Sequence, residues 1–333
     1  MINVSVIIPT YKRTQETLKC VDLLSKSTGL NEDLLMEILV FDSSPTSELE
    51  AMLNRFDEML KINYLHTADQ TLPGRARNIA VEKASNELII SLDSDIEFKR
   101  ETAQGLISFM RNHPRVARAT GVTKFSSGEK KGKKDRPTKW DRIYRKYDTN
   151  FIEGIYGRYE IFYKTAFQNI NGYDEIFEFC GEGTDISVRF WRDGYPLAIA
   201  KDVLAYHNSE APESLRRSVS DKMQKMYLSL FLVAYKYDVT DINKSLNFVY
   251  SHREREKAYG DTLEFHSVVS AAKSFEWIRN NYVEIEKSKK KIPNLFDFKP
   301  FDVFTDEYLI NECLEKSKNK LNPLWERVFG ENS

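Results

Sequence analysis

The residues of this chain that are best suited to chemistry are two carboxylates, Asp93 and Asp95, which flank Ser94 at the end of an apolar run. Oxygen ligands of this kind suit Mg²⁺ or Mn²⁺, and Mg²⁺ in proteins typically keeps some waters and takes phosphate oxygens as further ligands. Aspartate and serine are also common turn residues, so the motif alone favours a solvated turn. Whether this motif indicates a metal site therefore depends on which other residues the fold places near it.

The elements that must position these carboxylates alternate along the first ninety residues. Apolar runs lie at 4–9, 36–42, 62–66 and 87–93, and stretches with helical spacing lie at 14–26, 47–60 and 74–84. Runs that are apolar at nearly every residue are typical of strands buried on both faces, as in a parallel sheet. The order of strand and helix predicts a doubly wound α/β sheet.

Four polar segments follow the predicted strands, at 9–11, 42–44, 69–77 and 93–95. In open α/β sheets, ligands bind beyond the carboxyl ends of the strands. We therefore expect these segments to lie together at one edge of the sheet, and this clustering is the strongest structural argument in the sequence.

The second half of the chain begins with a basic stretch, 128–146, which lacks apolar periodicity and predicts a mobile loop. Charge runs are usually solvated, and the functional alternatives are an acceptor-binding flap or a contact to anionic lipid or RNA. The interleaved Trp140, Tyr144 and Tyr147 also allow carbohydrate stacking or a lid. Further elements are strands at 160–163 and 196–200 and a helix at 182–192. From about residue 215 the pattern is mostly helical.

The composition argues against several classes of protein. The chain has 333 residues, with 49 Lys and Arg against 50 Asp and Glu, which is not the balance of a globally basic nucleic-acid binder. Three distant cysteines without a CxxC pair speak against a disulfide framework or a structural zinc site, and they suit a reducing compartment. Signs of a signal peptide are absent, and the longest apolar stretch, 226–235, is too short to cross a bilayer. We expect a cytoplasmic location, with peripheral contact at the inner face of the membrane left open.

The four polar segments, in this order and with this spacing, resemble glycosyltransferase family 2, nucleotide-sugar-dependent inverting transferases of the GT-A type. The resemblance covers roughly Val4 to His207. It implies a GT-A-type doubly wound mixed sheet, Rossmann-like, with a helical C-terminal extension. We expect a catalytic domain at 1–210 and a helical extension at 211–333. Within the catalytic domain, we expect a nucleotide-sugar half at 1–98 and an acceptor half at 99–210.

The resemblance implies an inverting, metal-dependent transfer of a sugar from a nucleotide-diphosphate sugar, with UDP as the expected nucleotide, to a glycan, lipid-linked or peptide acceptor. It implies nucleotide-sugar contacts at Pro9, Thr10, Tyr11, Asp42, Arg77, Asn78, Asp93 and Ser94. The family often has two adjacent acids where this chain has Asp42 followed by Ser43, so the base preference stays open.

The expected cofactor is a divalent cation, Mn²⁺ or Mg²⁺. By resemblance, Asp95 binds the cation directly, and Asp93 contacts the ribose or a metal-bound water. His207 stands where the family often places a histidine near the metal and the diphosphate. The cation neutralises charge that builds on the leaving nucleoside diphosphate.

The acceptor side centres on Glu182, Asp185 and Arg189, which share one face of a predicted helix. A surface ladder of ion pairs is the alternative. An inverting transfer needs a base for the attacking hydroxyl. The family commonly uses the second member of an acidic pair, which here is Gly183. We therefore expect Glu182 to be the base, with Asp185 or an acceptor that needs little help, such as a thiolate, as alternatives.

Three other functions compete with this interpretation. A catalytically weak nucleotide-sugar-binding or scaffold protein would account for Gly183 and for the single acid at Asp42. A dinucleotide-binding enzyme is disfavoured because no GxGxxG follows the first strand. Nucleic-acid binding through the basic loop comes last, because the total charge is balanced. The assembly state stays open, a homo-oligomer included.

Overall fold

The computed structural model describes residues 2–27, 34–56, 60–98, 100–125, 151–155, 158–178, 180–207, 219–239, 263–293, 295–296, 298 and 307–330. Its described strands are β1 (Ile2–Thr10), β2 (Leu34–Asp42), β3 (Lys61–His66), β4 (Leu88–Leu92), β5 (Ile96–Glu97), β6 (Arg118–Phe125), β7 (Tyr159–Tyr163) and β8 (Leu197–His207). Its described α-helices are α1 (Thr14–Ser27), α2 (Glu48–Leu53), α3 (Pro73–Lys83), α4 (Arg100–Asn112), α5 (Lys164–Asn169), α6 (Glu182–Arg192), α7 (Val219–Lys236), α8 (Leu263–Asn280), α9 (Tyr282–Lys289) and α10 (Glu307–Phe329).

All eight described strands form one mixed sheet in the order β3-β2-β1-β4-β7-β6-β8-β5. The first four strands are parallel to one another, whereas β7 is antiparallel to both β4 and β6. Every residue of β4 is buried, as is the apolar centre of β1, because helices cover both faces of the sheet. This arrangement confirms the predicted doubly wound α/β sheet.

The elements expected from the sequence agree with the structure except in their lengths. The stretch 47–60 was expected to be one helix, but α2 ends at Leu53 and continues only as a short 3₁₀ turn, Asn54–Phe56. The strand expected at 196–200 continues to His207, with a register shift against β6 between Gly121 and Val122. This longer strand pairs Ile96 of β5 with His207. The basic loop 128–146 lies outside the described residues.

The helical part of the chain packs in two different ways. Helix α10 joins the core of the sheet through Leu321, Leu324 and Phe329, and the indole N–H of Trp325 donates to the carbonyl of Arg111 at 2.8 Å. Helices α7 and α9 instead form a smaller apolar cluster with the segment that precedes α6 and with α6 itself. The division of the chain at residue 210 stays a prediction.

The apolar stretch 226–235 lies within α7 and is used in this packing. Tyr227, Leu228 and Leu232 are buried, and both Met226 and Ala271 of α8 pack against Tyr227. Among the described helices, none combines the length and the apolar character that crossing a bilayer requires. The location of the protein and any peripheral membrane contact stay predictions.

Candidate active site

The turn after β4 carries the two aspartates that the sequence singled out. The backbone N–H of Ile96 donates to the carbonyl of Asp93 at 3.1 Å, so the segment is a turn, as the simpler interpretation of the motif expected. The pairing of β5 with β8 brings the Nε2 atom of His207 to 3.5 Å from Oδ2 of Asp95. The turn is therefore also the place where the candidate metal ligands converge.

Among the described residues, partners are found for only one of the two carboxylate oxygens of Asp95. Its Oδ2 atom forms an ion pair with Nη1 of Arg13 at 2.9 Å. Its Oδ1 atom is buried and has no hydrogen-bond partner among the described residues. Burial opposes ionisation of this carboxyl, but the hydrogen bond and charge of His207, together with the charge of Arg13, lower its pKa. Asp95 is therefore an ionised carboxylate with one oxygen left over for a ligand.

Asp93 faces a different cation, the buried guanidinium of Arg77. Nη2 of Arg77 donates to Oδ1 of Asp93, and the ring of Tyr173 lies 5.5 Å from the guanidinium carbon. Burial, and then the charge of Asp95, raise the pKa of Asp93 to about 6, although Arg77 acts in the opposite direction. We call Arg13, Arg77, Asp93, Asp95 and His207 the strand-end cluster.

Glu182 is the first residue of α6, and it lies in the electrostatic field of this cluster. Burial raises the pKa of its carboxyl, as do the charges of Asp93 and Asp185, while Arg77 lowers it. Its Oε2 atom is buried without a hydrogen-bond partner among the described residues. A carboxylate with a raised pKa and an unused oxygen can accept a proton from a bound hydroxyl.

Asp185 lies one turn further along α6 and is fully buried. Its carboxylate accepts from Nη2 of Arg189 at 2.7 Å, Nζ of Lys236 at 2.5 Å and the hydroxyl of Tyr237 at 3.0 Å. Burial acts to raise its pKa, but Arg189 and Lys236 lower it below the usual range. Because Asp185 is ionised, paired and shielded from solvent, it is poorly placed to take a proton from an acceptor.

The expected nucleotide-base residues gather at the ends of β1 and β2. The Asp42 carboxylate is 2% exposed and accepts from the Tyr64 hydroxyl and the Ser44 N–H, at 2.8 and 2.9 Å. The hydroxyl of Thr10 bonds that of Thr17 at 2.8 Å. In this group, Pro9 and Tyr11 are half-buried, and Ser94 is buried. The segments meet as predicted, and Asp42 already has protein partners.

Asn78 connects two segments of the protein in this structure. Its Oδ1 atom accepts from the backbone N–H of Tyr173 at 2.8 Å, and its Nδ2 donates to the carbonyl of the same residue at 2.9 Å. This pair of bonds fixes the loop that carries Tyr173 beside Arg77. Asn78, whose side-chain amide is expected to contact the nucleotide, thus holds Tyr173 in place beside Arg77.

The side chains around Asp95 determine whether a cation fits there. Within the part of the chain that the structure describes, no group of three or more His, Cys, Asp or Glu side chains could hold a metal ion. Asp95 and His207 form a pair of potential ligands, whereas Asp93 turns to Arg77. A pair with a buried unused oxygen fits a cation that takes its remaining ligands from phosphate and water.

Sequence reasoning missed the residues that complete the site: Arg13, Tyr64, Tyr173 and Lys236. Tyr64 had a signal, because β3 pairs with β2 in parallel and the side chain two residues before the partner of Asp42 lies on the same face of the sheet. Lys236 also had one, since it is a single charge between Tyr235 and Tyr237 in an apolar stretch. Arg13 had no local signal, whereas Tyr173 lies in the segment 171–175, part of the block that resembles the acceptor side of the family.

Comparison with known proteins adds a family and a fold. Residues 5–170, about half of the chain, match the model of Glycosyl transferase family 2. An uncharacterized protein of Haemophilus influenzae is 30% identical over 118 residues, which are 34% of this chain and 62% of that protein. The poly(ribitol-phosphate) beta-N-acetylglucosaminyltransferase TarS of Staphylococcus aureus is 27% identical over 115 residues, 34% of this chain and 20% of TarS. The chain thus spans less than two thirds of these relatives.

Solved structures resemble the chain over a longer range. The structure of residues 1–349 of Staphylococcus aureus TarS in complex with UDP-GlcNAc has a TM-score of 0.52 and 16% identity, and the match covers 70% of this chain and 67% of that TarS fragment. The mannosyltransferase PcManGT of Pyrobaculum calidifontis, in complex with GDP-Man and Mn²⁺, has a TM-score of 0.52 and 15% identity over 99% of this chain and 88% of that protein. At such identities the likeness concerns the fold, and it confirms the predicted GT-A-type sheet with a helical C-terminal part.

Proposed function

Because the chain belongs to glycosyl transferase family 2, we propose that it transfers a sugar from a nucleotide-diphosphate sugar to an acceptor hydroxyl, with inversion at the anomeric carbon. One observation carries this proposal. The strand-end cluster, with its unused Asp95 oxygen, lies in the electrostatic field of Glu182, a carboxylate whose pKa is raised. A candidate cation site and a candidate base close enough to influence each other's charge would supply the two parts that the proposed reaction uses.

We propose a UDP-sugar as the donor. The complex of TarS with UDP-GlcNAc supports this choice, because TarS has the same fold. In this chain, Asp42 is placed at the end of β2 to accept from a ribose hydroxyl or a uracil N–H, in addition to its bonds from Tyr64 and Ser44. The buried Arg77 supplies positive charge near the diphosphate.

We propose that a divalent cation assists the reaction, and that Asp95 and His207 would hold it. The complex of PcManGT with GDP-Man and Mn²⁺ supports this cofactor class, because PcManGT has the same fold. A bound cation would neutralise the charge of the diphosphate as it leaves. Arg77 keeps Asp93 oriented next to this position, so that Asp93 can accept from the ribose or from water.

Glu182 is our candidate for the base. As the acceptor oxygen forms its bond to the anomeric carbon, the bond from that carbon to the diphosphate breaks, and its electron pair leaves with the nucleoside diphosphate. The proton of the acceptor hydroxyl passes to Glu182. Asp185 takes no part in this proton transfer, because its oxygens already accept from Arg189, Lys236 and Tyr237. A glycan or polyol hydroxyl is the proposed acceptor, because the relative TarS is a poly(ribitol-phosphate) beta-N-acetylglucosaminyltransferase.

The first experiment is thermal unfolding with UDP, GDP, CMP or dTDP, each with Mn²⁺, Mg²⁺ or EDTA. A ligand present at 100 times its Kd stabilises the folded state by about 2.7 kcal/mol. We expect UDP with a cation to raise the Tm by several degrees, and Asp95→Ala to abolish the part that depends on the cation. If no nucleotide raises the Tm, the proposed function is wrong.

Turnover with UDP-sugars then separates an enzyme from a binding protein. Release of UDP is followed with UDP-GlcNAc, UDP-glucose and UDP-galactose, in the presence and absence of polyol and oligosaccharide acceptors. Binding of a UDP-sugar without release of UDP by any acceptor would favour the scaffold alternative, which the missing second acid at Gly183 motivates.

A further inference from the structure

Helix α7, from the helical part of the chain, contacts α6 on both sides of Glu182. Before Glu182, Gly181 has a φ of 91°, and a Cβ atom there would collide with the Ser229 hydroxyl of α7 and with the ring of Phe177. After it, Lys236 at the end of α7 reaches Asp185. Both contacts lie beyond residue 170, where the match to the family model ends.

Lys236 forms two short ion pairs from a position that is almost closed to solvent. Its Nζ atom lies 2.5 Å from Oδ1 of Asp185 and 2.5 Å from Oδ2 of Asp174, and its side chain is 1% exposed. Its ammonium group lies 5.1 Å from the centre of the Phe177 ring. Asp174, Asp185, Arg189 and Lys236 form what we call the helix cluster. Two carboxylates face two cations in it, so its formal charges cancel.

The two partners of Lys236 belong to the two segments that frame the candidate site. Asp185 is on α6, one turn after Glu182. Asp174 directly follows Tyr173, whose backbone is bonded to Asn78 and whose ring lies beside Arg77. One ammonium group thus fixes the helix that carries the candidate base to the loop that supports the candidate diphosphate ligand. A buried ion pair that joins separate elements restricts their relative position.

We propose that Lys236 is a positioning residue for sugar transfer, which holds Glu182 in register with the donor by joining α6 to the Asp174 loop. This inference rests on the proposed function of the site. Displacement of a reacting group by about 1 Å can cost on the order of 100-fold in rate. Loss of the two Lys236 ion pairs, which we call the clamp, should therefore reduce turnover while the donor still binds to the strand-end cluster.

The test compares Lys236→Met with the control Lys289→Met. Lys289 lies in the same helical part and pairs with Asp238 at 2.9 Å, but among the described residues its ion pairs are with Asp238 and Glu286 only. Asp174→Asn is a milder second variant, because it leaves the Lys236 contact to Asp185 and changes a side chain that is 21% exposed. Thermal unfolding verifies that each variant is folded.

The first readout is the division between kcat and KM for the UDP-sugar, with the concentration of active sites taken from the stoichiometry of UDP binding. We expect Lys236→Met to lower kcat by about 10- to 100-fold, the range seen when supporting residues are removed, with KM unchanged within a factor of two. The kcat of Asp174→Asn should lie between that of Lys236→Met and that of the wild type. An unchanged kcat in Lys236→Met would overturn the proposal.

The second readout does not need a reaction. Cys180 is half exposed and lies two residues before Glu182, whereas Cys20 and Cys313 are buried. Burial raises the pKa of Cys20 to about 12 and also raises that of Cys313, so both thiols should react slowly. We expect iodoacetamide to alkylate Cys180 at least fivefold faster in Lys236→Met than in the wild type, and at the wild-type rate in Lys289→Met.

Equal rates of alkylation in the wild type and Lys236→Met would contradict the clamp, whether or not the protein transfers sugar. If the wild type neither binds a nucleotide nor releases UDP, the proposed function fails while the alkylation rates still decide whether Lys236 holds the start of α6. The two failures are therefore distinguishable.

Discussion

The strand-end cluster and the helix cluster contain similar groups but differ in how completely their carboxylates are paired. In the strand-end cluster, Asp95 has an ion pair on one oxygen and no hydrogen-bond partner, among the described residues, on the other. In the helix cluster, Asp185 accepts from three side chains and is fully buried. Both clusters lie in the surroundings of Glu182.

The difference indicates two uses of charge in one fold. A buried polar atom that lacks a partner costs about 1–3 kcal/mol, so the fold keeps such an atom at the expense of its own stability. A carboxylate whose bonds are all made stabilises a fixed geometry and has little capacity left for a ligand. The strand-end cluster is therefore the place to expect ligands, and the helix cluster the place to expect a scaffold. The following variants test this distinction.

Glu182→Gln should have the largest effect on function. Removal of a general base typically costs 10²–10⁴-fold in rate, and we expect a loss of about that size in kcat, with UDP binding retained. Calorimetry with UDP and a continuous assay of UDP release measure the two quantities. Glu178→Gln, on a neighbouring side chain that is 44% exposed, is the matched control. Retention of half of the wild-type kcat in Glu182→Gln would exclude it as the base.

The same residue predicts a pH dependence. A base acts only when it is ionised, and the pKa of Glu182 is raised above the usual 4.5, first by burial. Transfer should therefore decline as the pH falls through a value above 4.5. A rate that stays constant down to pH 4.5, in a protein shown to be folded there, would contradict this assignment.

Asp185→Asn should affect stability more than any other single change in the helix cluster. Breaking a buried ion pair by removing one partner costs about 3–5 kcal/mol, because the remaining charges lose their compensation. Urea unfolding at pH 7 measures this loss. Asp238→Asn, at a side chain that is 77% exposed, should change the free energy of unfolding by less than about 1 kcal/mol.

The sign of the pH effect on Asp185 follows from its lowered pKa. Its stabilising contribution is complete above the usual pKa of 3.8 and is lost as the pH falls towards the lower pKa of the folded state. The difference in unfolding free energy between the wild type and Asp185→Asn should therefore shrink below pH 3.8. A difference under 1 kcal/mol at pH 7 would contradict the structural role.

Asp95→Asn should separate function from stability in the opposite way. Metal ions stabilise charge in the transition state by several kcal/mol, which corresponds to a loss of about 10²–10³-fold in transfer. The Tm without ligands should fall less than in Asp185→Asn, because Oδ1 of Asp95 has no partner to lose among the described residues and only the contacts of Oδ2 with the partly exposed Arg13 and His207 are weakened. Unfolding scans with UDP, with and without Mn²⁺, check both statements. A fall of the Tm like that of Asp185→Asn would remove the contrast between the clusters.

Arg13→Gln should have the smallest effect and act in the opposite direction. The guanidinium of Arg13 lies 2.9 Å from the oxygen of Asp95 that also faces His207, so an arriving cation must compete with it. Removing a partly exposed ion pair of about 1 kcal/mol should strengthen Mn²⁺ binding about three- to tenfold. Calorimetric titration measures this affinity. Lys19→Gln, which breaks the ion pair between Lys19 of α1 and Glu97 of β5, is the control. Weaker Mn²⁺ binding in Arg13→Gln would contradict the competition.

The sequence predicted what depends on local pattern and on the order of elements. The buried strands were evident from continuous apolar runs, and the meeting of Thr10, Asp42 and Asp95 followed from the rule for parallel sheets. Glu182 was placed correctly at the start of a helix.

The sequence could not predict which distant side chain pairs with which. Lys236 lies more than fifty residues after Asp185, and only the packing of α7 on α6 brings them together. Similarly, the sequence predicts that Asp42 contacts a nucleotide, but it does not predict that the Asp42 carboxylate accepts hydrogen bonds from the Tyr64 hydroxyl and the Ser44 N–H. The apolar residues that continue past Leu53 predict a helix over 47–60. In the structure α2 ends at Leu53, and the backbone tightens there into a 3₁₀ turn.

The position of α10 has a consequence for how the protein is made. Its apolar side chains complete the same core as β1, although about 300 residues separate the two elements. At about 5–20 residues per second, a ribosome needs on the order of 15–60 s to reach α10 after it has made β1. During that interval the growing sheet exposes the apolar surface that α10 later covers. The nascent chain should therefore be a substrate for chaperones that bind during translation.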